Sequence, residues 1–183
     1  MSNLNFEALN ILVVDDNTHM HVVVKAILNA MRIKNIRFSG DAADAFGEMR
    51  QFPPDIVITD WAMEPLDGLD FVRLVRKGGD SPNPYVPVIL LTGHTEMHRV
   101  LEARDSGVNE ILAKPISIKS LYSRISSIVE NTRPFIRSPG YFGPCRRRYN
   151  DPNYDGPERR RDRMSAPGGR TPTTQRNDRS PMP

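Results

Sequence analysis

Five polar residues stand directly after short apolar runs: Asp15 and Asp16 after Asn10 to Val14, Asp60 after Asp55 to Thr59, Thr92 after Val86 to Leu91, and Lys114 after Asn109 to Ala113. Singly, each has an ordinary role. Asp16 or Asn17 can cap a helix, Asp60 can open a turn, and Lys114 can be a solvated surface charge. Jointly they mean more. If the runs are parallel strands of one open sheet, their carboxyl ends form the crevice where such sheets bind ligands. Three carboxylates gathered there raise one another's pKa unless a cation intervenes. Mg²⁺ is the natural cation, since it takes hard oxygen ligands, keeps several waters and bridges carboxylates to phosphate. A carboxylate held against that ion, with an ammonium and a hydroxyl ready for phosphoryl oxygens, is equipped for nucleophilic attack on phosphorus. The product is an acyl phosphate, and the protein's share of the work is positioning and charge stabilisation.

The elements that must position these residues are legible in the hydropathy pattern. Up to about residue 131, short apolar runs alternate with segments of helical period, the pattern of βα units around a parallel sheet. Asn35 to Phe38 is the fifth run, and three of the others are nearly continuous Ile, Val and Leu, as in strands buried on both faces. Between them, apolar residues recur three and four apart, as in Met20, Val23, Val24, Ile27, Leu28 and Met31, or Phe71, Leu74 and Val75, which predicts one-sided helices. Leu121, Ile125, Ile128 and Val129 mark the last helix, which ends before Arg133-Pro134 because a residue preceding proline resists helical geometry. The fold class expected is α/β, a doubly wound five-stranded parallel sheet.

Charge divides the 183-residue chain. Residues 133–183 hold 12 Arg, no Lys and 5 acidic residues, a net +7, which leaves a mildly acidic body of −4 within the total of +3. The same stretch holds 9 Pro and 5 Gly among 51 residues, too little apolar surface to offset the entropy of ordering it. One ordinary-sized domain over 8–131 and a disordered basic tail over 132–183 are therefore expected. One regularity survives in the tail: Tyr141-Phe-Gly-Pro-Cys-Arg-Arg-Arg148 recurs as Tyr154-Asp-Gly-Pro-Glu-Arg-Arg-Arg161. Two copies are too few for a solenoid and read as a short linear element used twice. Cys145 is the single cysteine, so no disulfide can form within the chain. The N-terminus lacks the basic start and apolar stretch of a signal peptide, and no apolar run approaches the roughly 18 residues that span a bilayer. A cytoplasmic protein is expected.

Residues 10–130 resemble the receiver domain of two-component response regulators, the CheY-like fold. The resemblance rests on Ile-Leu-Val-Val-Asp15-Asp16-Asn, Asp-Ile-Val-Ile-Thr-Asp60-Trp-Ala-Met, Leu66-Asp-Gly68, Val-Ile-Leu-Leu-Thr92-Gly and the stretch ending in Leu-Ala-Lys114-Pro115. It implies strand order 2-1-3-4-5. It also implies that Asp60 is the phosphoacceptor, that Asp15, Asp16, Asp60 and the Ala62 carbonyl hold Mg²⁺, that Thr92 is the switch hydroxyl, and that Lys114 pairs with a phosphoryl oxygen. The Lys114–Pro115 bond is one the family commonly holds in cis. The implied partners are a sensor histidine kinase or histidine phosphotransfer protein and a downstream protein target, with homodimerisation open. The chain would turn over no external substrate.

Two departures from the family pattern stand out. The position three before Lys114, usually a switching aromatic, is Ile111, and the loop after Asp60 reads Met63-Glu64-Pro65 where Met-Pro is commoner. His19, His21, His94 and His98 form no recognisable ligand set and read as helix or loop surface, and Trp61 reads as a partly exposed neighbour of Asp60. A second function class stays open: the arginine clusters, with Tyr141, Phe142, Tyr149 and Tyr154, could contact phosphates and stack on bases, making the tail a binder of nucleic acid or anionic membrane. Asp151, Asp155, Glu158 and Asp162 interrupt that charge.

Overall fold

A computed structural model describes residues 6–93 and 96–146, together with the backbone of a short strand over 162–164. Five βα units build it: β1 (Asn10–Val14), α1 (Thr18–Ala30), β2 (Asn35–Ser39), α2 (Ala42–Gln51), β3 (Ile56–Asp60), α3 (Gly68–Lys77), β4 (Val88–Thr92), α4 (Met97–Ser106), β5 (Glu110–Ala113) and α5 (Ile118–Glu130). All strand pairs in this sheet are parallel, in the order β2-β1-β3-β4-β5. This is the doubly wound arrangement that the alternating pattern predicted.

Alternation along each strand feeds two cores. Ile11 and Val13 face α1 and α5 together with Val24, Ile27, Leu28, Leu121 and Ile125, whereas Leu12 and Val14 face α2, α3 and α4 with Met49, Phe71, Val75 and Ala103. Both faces of β3 and β4 are buried throughout, which is why those runs show no polar alternation. The fourth strand begins two residues after its apolar run does. Pro87 has no N–H to give a ladder, and it contributes only its carbonyl, which accepts from Val57 N at 2.9 Å. Polar side chains start the helices: Asn17, Asp41 and Asp67 each accept from a first-turn N–H at 2.8 to 2.9 Å, and Ser117 forms a reciprocal capping box with Ser120. No helix among the described residues is long and apolar enough to cross a membrane.

The expected disordered tail gives way to structure over residues 135–146. Here β6 (Phe135–Ser138) and β7 (Tyr141–Pro144) form an antiparallel hairpin, and β8 (Asp162–Met164) pairs with the other edge of β6. Phe135, Ile136, Tyr141, Phe142 and Cys145 are buried. Phe135 and Phe142 meet the ring of Tyr85 edge-on, with centroids 5.2 and 5.3 Å away. Beneath them lies the guanidinium of Arg76, which donates to the carbonyls of Gly107 (3.1 Å) and Pro84 (2.8 Å) and to Asn109 Oδ1 (3.1 Å), and spreads over the Phe135 ring. Burial pulls its pKa down to about 9, so it still carries its charge at neutral pH. Arg133 donates to the carbonyls of Asn109 and Cys145, and Lys77 to that of Gly140. β7 passes so close to α4 that a Cβ on Gly143 would lie 2.9 Å from the Gly107 Cα. The composition of 51 residues diluted this cluster: its four aromatic and aliphatic anchors need only a dozen residues, and a polar remainder hides them from any average.

Tyr141 and Phe142 are thus committed to the fold and are not platforms for stacking on bases. Tyr149, the second copy of the Tyr-x-Gly-Pro-x-Arg-Arg-Arg element and the disorder expected of 147–161 and 165–183 lie outside the described residues.

Candidate functional site

Parallel strands deliver the tips of β1, β3, β4 and β5 to one edge of the sheet. Asp60, the last residue of β3, points its Oδ1 at Lys114 Nζ, 2.7 Å away, with the carboxylate nearly buried and the ammonium about a quarter exposed. Lys114 reaches that point because its backbone N donates to the Thr92 carbonyl at 2.8 Å, extending the β4–β5 ladder by one step beyond β5. Thr92 is itself buried at the tip of β4. The Lys114–Pro115 bond is cis, as the resemblance implied, and so is Glu64–Pro65.

Asp15 supplies the observation that speaks for a cation. Its Oδ1 accepts from Asn17 N at 2.8 Å, while its Oδ2 is buried without any hydrogen-bond partner. A buried carboxylate oxygen left orphaned is costly unless something positive meets it. Burial raises the Asp15 pKa above the usual carboxylate range; the Asn17 N–H opposes this, the Asp60 charge adds to it, and Lys114 and His21 oppose it more weakly. Asp16 lies exposed beside it, its Oδ2 accepting from the Glu64 N–H at 3.3 Å, so the β1–α1 and β3–α3 loops are tied together at the site. Ala62 sits exposed on the second of these loops. Among the described residues no three His, Cys, Asp or Glu side chains close into a metal cluster. A cation here would lean on a backbone carbonyl and water as well as on carboxylates, the oxygen ligand set that suits Mg²⁺.

Gly68 explains why the loop after Asp60 carries glycine. A Cβ there would lie 2.0 Å from the Asp60 carbonyl oxygen, and the Gly68 N–H donates to the Trp61 carbonyl at 2.9 Å, so the loop turns back directly over the acidic residue. Two residues differ from their expected surface roles. His21 places Nε2 2.7 Å from the Asp15 carbonyl and its ring against Phe38, bracing the β1–α1 loop; only its spacing from Asp15, one helical turn into α1, could have signalled this. Trp61 is buried, not partly exposed: it belongs to the core on the α2, α3 and α4 side of the sheet, and Arg99 of α4 lies over its ring at 5.5 Å. His94 lies outside the described residues.

With the geometry in place, the chain can be set beside known proteins. Residues 11–126 match the response regulator receiver domain family. The chain belongs to that family. Among curated relatives of this receiver, chemotaxis protein CheY of Pseudomonas aeruginosa is 30% identical over 122 residues, covering 67% of the chain and 97% of the relative. Chemotaxis protein CheY-3 of Vibrio cholerae is 29% identical, covering 67% and 92%. Among solved structures, the receiver of the Pseudomonas aeruginosa sensor histidine kinase PA1611, crystallised with a magnesium ion in its active-site cleft, superimposes with a TM-score of 0.59 at 24% identity, over 67% of this chain and 98% of that one. The Francisella response regulator 1452 receiver gives 0.60 at 26% identity, over 68% and 99%. These matches span about two-thirds of the chain, so the hairpin beyond α5 is additional to what this receiver shares with them.

Proposed function

We propose that this receiver accepts a phosphoryl group on Asp60 from a histidine kinase or histidine phosphotransfer protein and signals by protein contact. The observation that supports it best is the nearly buried Asp60 carboxylate, held by Lys114 at 2.7 Å beside the orphaned Asp15 oxygen. Asp60 Oδ1 is engaged by Lys114, which leaves the second oxygen for attack on phosphorus. The new O–P bond forms as the P–N bond of a phosphohistidine breaks, and the imidazole leaves with its electron pair. Later attack by water returns the carboxylate and inorganic phosphate. Lys114 would neutralise charge on the phosphoryl oxygens, and the Thr92 hydroxyl would donate to one of them. Asp15, Asp16, Asp60 and the Ala62 carbonyl would hold Mg²⁺, which when bound supplies positive charge to the transferring group. The receiver is a signalling module and has no substrate to turn over.

Acetyl phosphate tests the assignment without a cognate kinase. With Mg²⁺, the full chain is expected to gain the mass of one phosphoryl group, labile to hydroxylamine as an acyl phosphate is, and to lose it on standing; no gain under these conditions would overturn the reading. The tail as a ligand for nucleic acid or membrane has less support, since Tyr141 and Phe142 are buried and Arg146 lies over the Tyr141 ring while pairing with Asp105 at 3.4 Å.

Asp15→Asn separates metal binding from folding. Because the Asp15 pKa is raised in the fold, its ionised form costs stability; the cost is absent below the unfolded-state pKa and complete above the folded one, so metal-free stability falls as pH rises between them. The neutral Asn variant is expected to melt higher than wild type at neutral pH without metal. Wild type gains about 2.7 kcal/mol at Mg²⁺ a hundredfold above its Kd, and the variant should forfeit most of that gain. Melting curves with and without Mg²⁺, from neutral pH down through the carboxylate range, read both effects.

A further inference from the structure

We propose that His21 is a positioning residue for the Mg²⁺ site: it aims the Asp15 carboxylate by holding the Asp15 carbonyl, an assignment that rests on the reading of Asp60 as the phosphoacceptor. Of the four polar atoms of Asp15, three are fixed by protein partners: its N donates to the Ser39 carbonyl at 3.1 Å, its Oδ1 accepts from Asn17 N at 2.8 Å, and its carbonyl O lies 2.7 Å from His21 Nε2. The fourth, Oδ2, is the buried oxygen with no partner. The Ser39 and Asn17 contacts are made by backbone atoms, which any residue at those positions supplies except proline at the N–H. The His21 contact is made by a side chain, so it is the one that residue type decides.

A carbonyl only accepts, so His21 Nε2 carries a proton and donates, in the neutral and the charged imidazole alike. The bond runs from near the start of α1 back to the residue after β1. The ring is itself held, against Phe38 with centroids 4.9 Å apart. Phe38 and Ser39 are the last two residues of β2, a strand that has no acidic residue of its own. That strand therefore grips Asp15 twice, directly through Ser39 and indirectly through Phe38 and His21. The carbonyl that His21 holds belongs to the peptide joining Asp15 to Asp16. A peptide is planar and carries an α-carbon at each end, so fixing this one orients both carboxylates. Hydrogen bonds to the residues that ligate a metal tune its affinity in this way without touching it.

Calorimetric titration of the full chain with Mg²⁺, beside phosphoryl uptake from acetyl phosphate over a range of Mg²⁺, tests this. His21→Leu, which keeps a side chain of similar size without a donor, should raise the Mg²⁺ Kd about tenfold, the low end of what losing such a partner costs a metal site. Its uptake rate at saturating Mg²⁺ should stay within about twofold of wild type, because a residue that only positions the metal ligands is compensated by excess metal. His21→Gln, whose Nε2 can donate to the same carbonyl, should recover most of the affinity. Val22→Ala, at the exposed neighbour on α1, should match wild type in both. A His21→Leu protein with the wild-type Kd, whatever its metal-free Tm, overturns the positioning role and leaves the phosphoacceptor in place; so does a His21→Gln protein no better than His21→Leu. Where His21→Leu does not fold, Phe38→Leu frees the ring and keeps the donor, and it should weaken Mg²⁺ in the same sense; an unchanged Kd there overturns the role too. A wild type that neither binds Mg²⁺ nor takes up a phosphoryl group removes both readings.

Discussion

Asp60→Asn is expected to leave a folded protein that takes up no phosphoryl group from acetyl phosphate or from any kinase able to phosphorylate the wild type. An amide oxygen is a far weaker nucleophile than a carboxylate and cannot give the same acyl phosphate. Stability should change little, within about 1 kcal/mol, because two effects oppose each other. The variant loses the partner of Lys114 at 2.7 Å, which costs something for an ammonium only about a quarter exposed. It also removes a negative charge that raises the Asp15 pKa, so Asp15 ionises more easily in the variant. Intact-mass spectra report the first outcome and melting temperatures the second. Phosphoryl uptake at the wild-type rate would move the acceptor to another residue; a collapse in stability would mean that the Asp60–Lys114 pair is mainly structural. Lys114→Met is the companion variant, since it keeps the nucleophile and removes the ammonium, and it should slow uptake without abolishing it.

The sheet and the site were readable in the residues because both follow from local rules. Asp15, Asp60, Thr92 and Lys114 come from four separate strands, yet parallel pairing puts every strand end on one edge, so their convergence follows once the runs are recognised as strands. Gly68 is a different case: its place in the motif was visible, but the reason, a Cβ 2.0 Å from the Asp60 carbonyl, is a distance between elements. Trp61 was misplaced for the same kind of reason. Its burial comes from joining the core that α2, α3 and α4 cover, with Arg99 of α4 over its ring, and no periodicity in the β3–α3 loop records side chains arriving from other elements. The hairpin was missed because composition is an average. Gly143 can lie against Gly107 only if β7 folds back across α4, and neither residue carries a signal of the other.

That hairpin underlies the second large effect: ending the chain at residue 132 should destabilise the receiver while leaving its Mg²⁺ response intact. β6 and β7 cover the amino ends of β4 and β5, through Pro84, Tyr85, Gly107 and Asn109, whereas the acidic site lies at the carboxyl ends of the same strands. Truncation bares Tyr85 and strips Arg76 of the Phe135 ring, and it removes Arg133, a cation beside the buried Glu110; Arg124 at 3.4 Å remains. The magnitude is bounded from inside the hairpin. Phe142→Ala in a hairpin that stays docked costs about 3 to 5 kcal/mol, the usual range for emptying a buried phenylalanine site. A substitution cannot cost more than the hairpin's own net docking energy, because beyond that point the hairpin lets go and the rest of the domain remains. If docking is strong, truncation therefore lowers stability by at least as much as Phe142→Ala, about 3 kcal/mol or more, which for a domain near this size is roughly 6 to 12 °C in Tm. If docking is weak, both changes give the same small loss. Melting of the two proteins side by side distinguishes these cases. Tyr85, Phe135 and Phe142 in mutual ring contact over a buried guanidinium favour the first, and a truncated receiver that melts with the full chain would show that the ordering entropy of a dozen residues cancels everything those rings contribute.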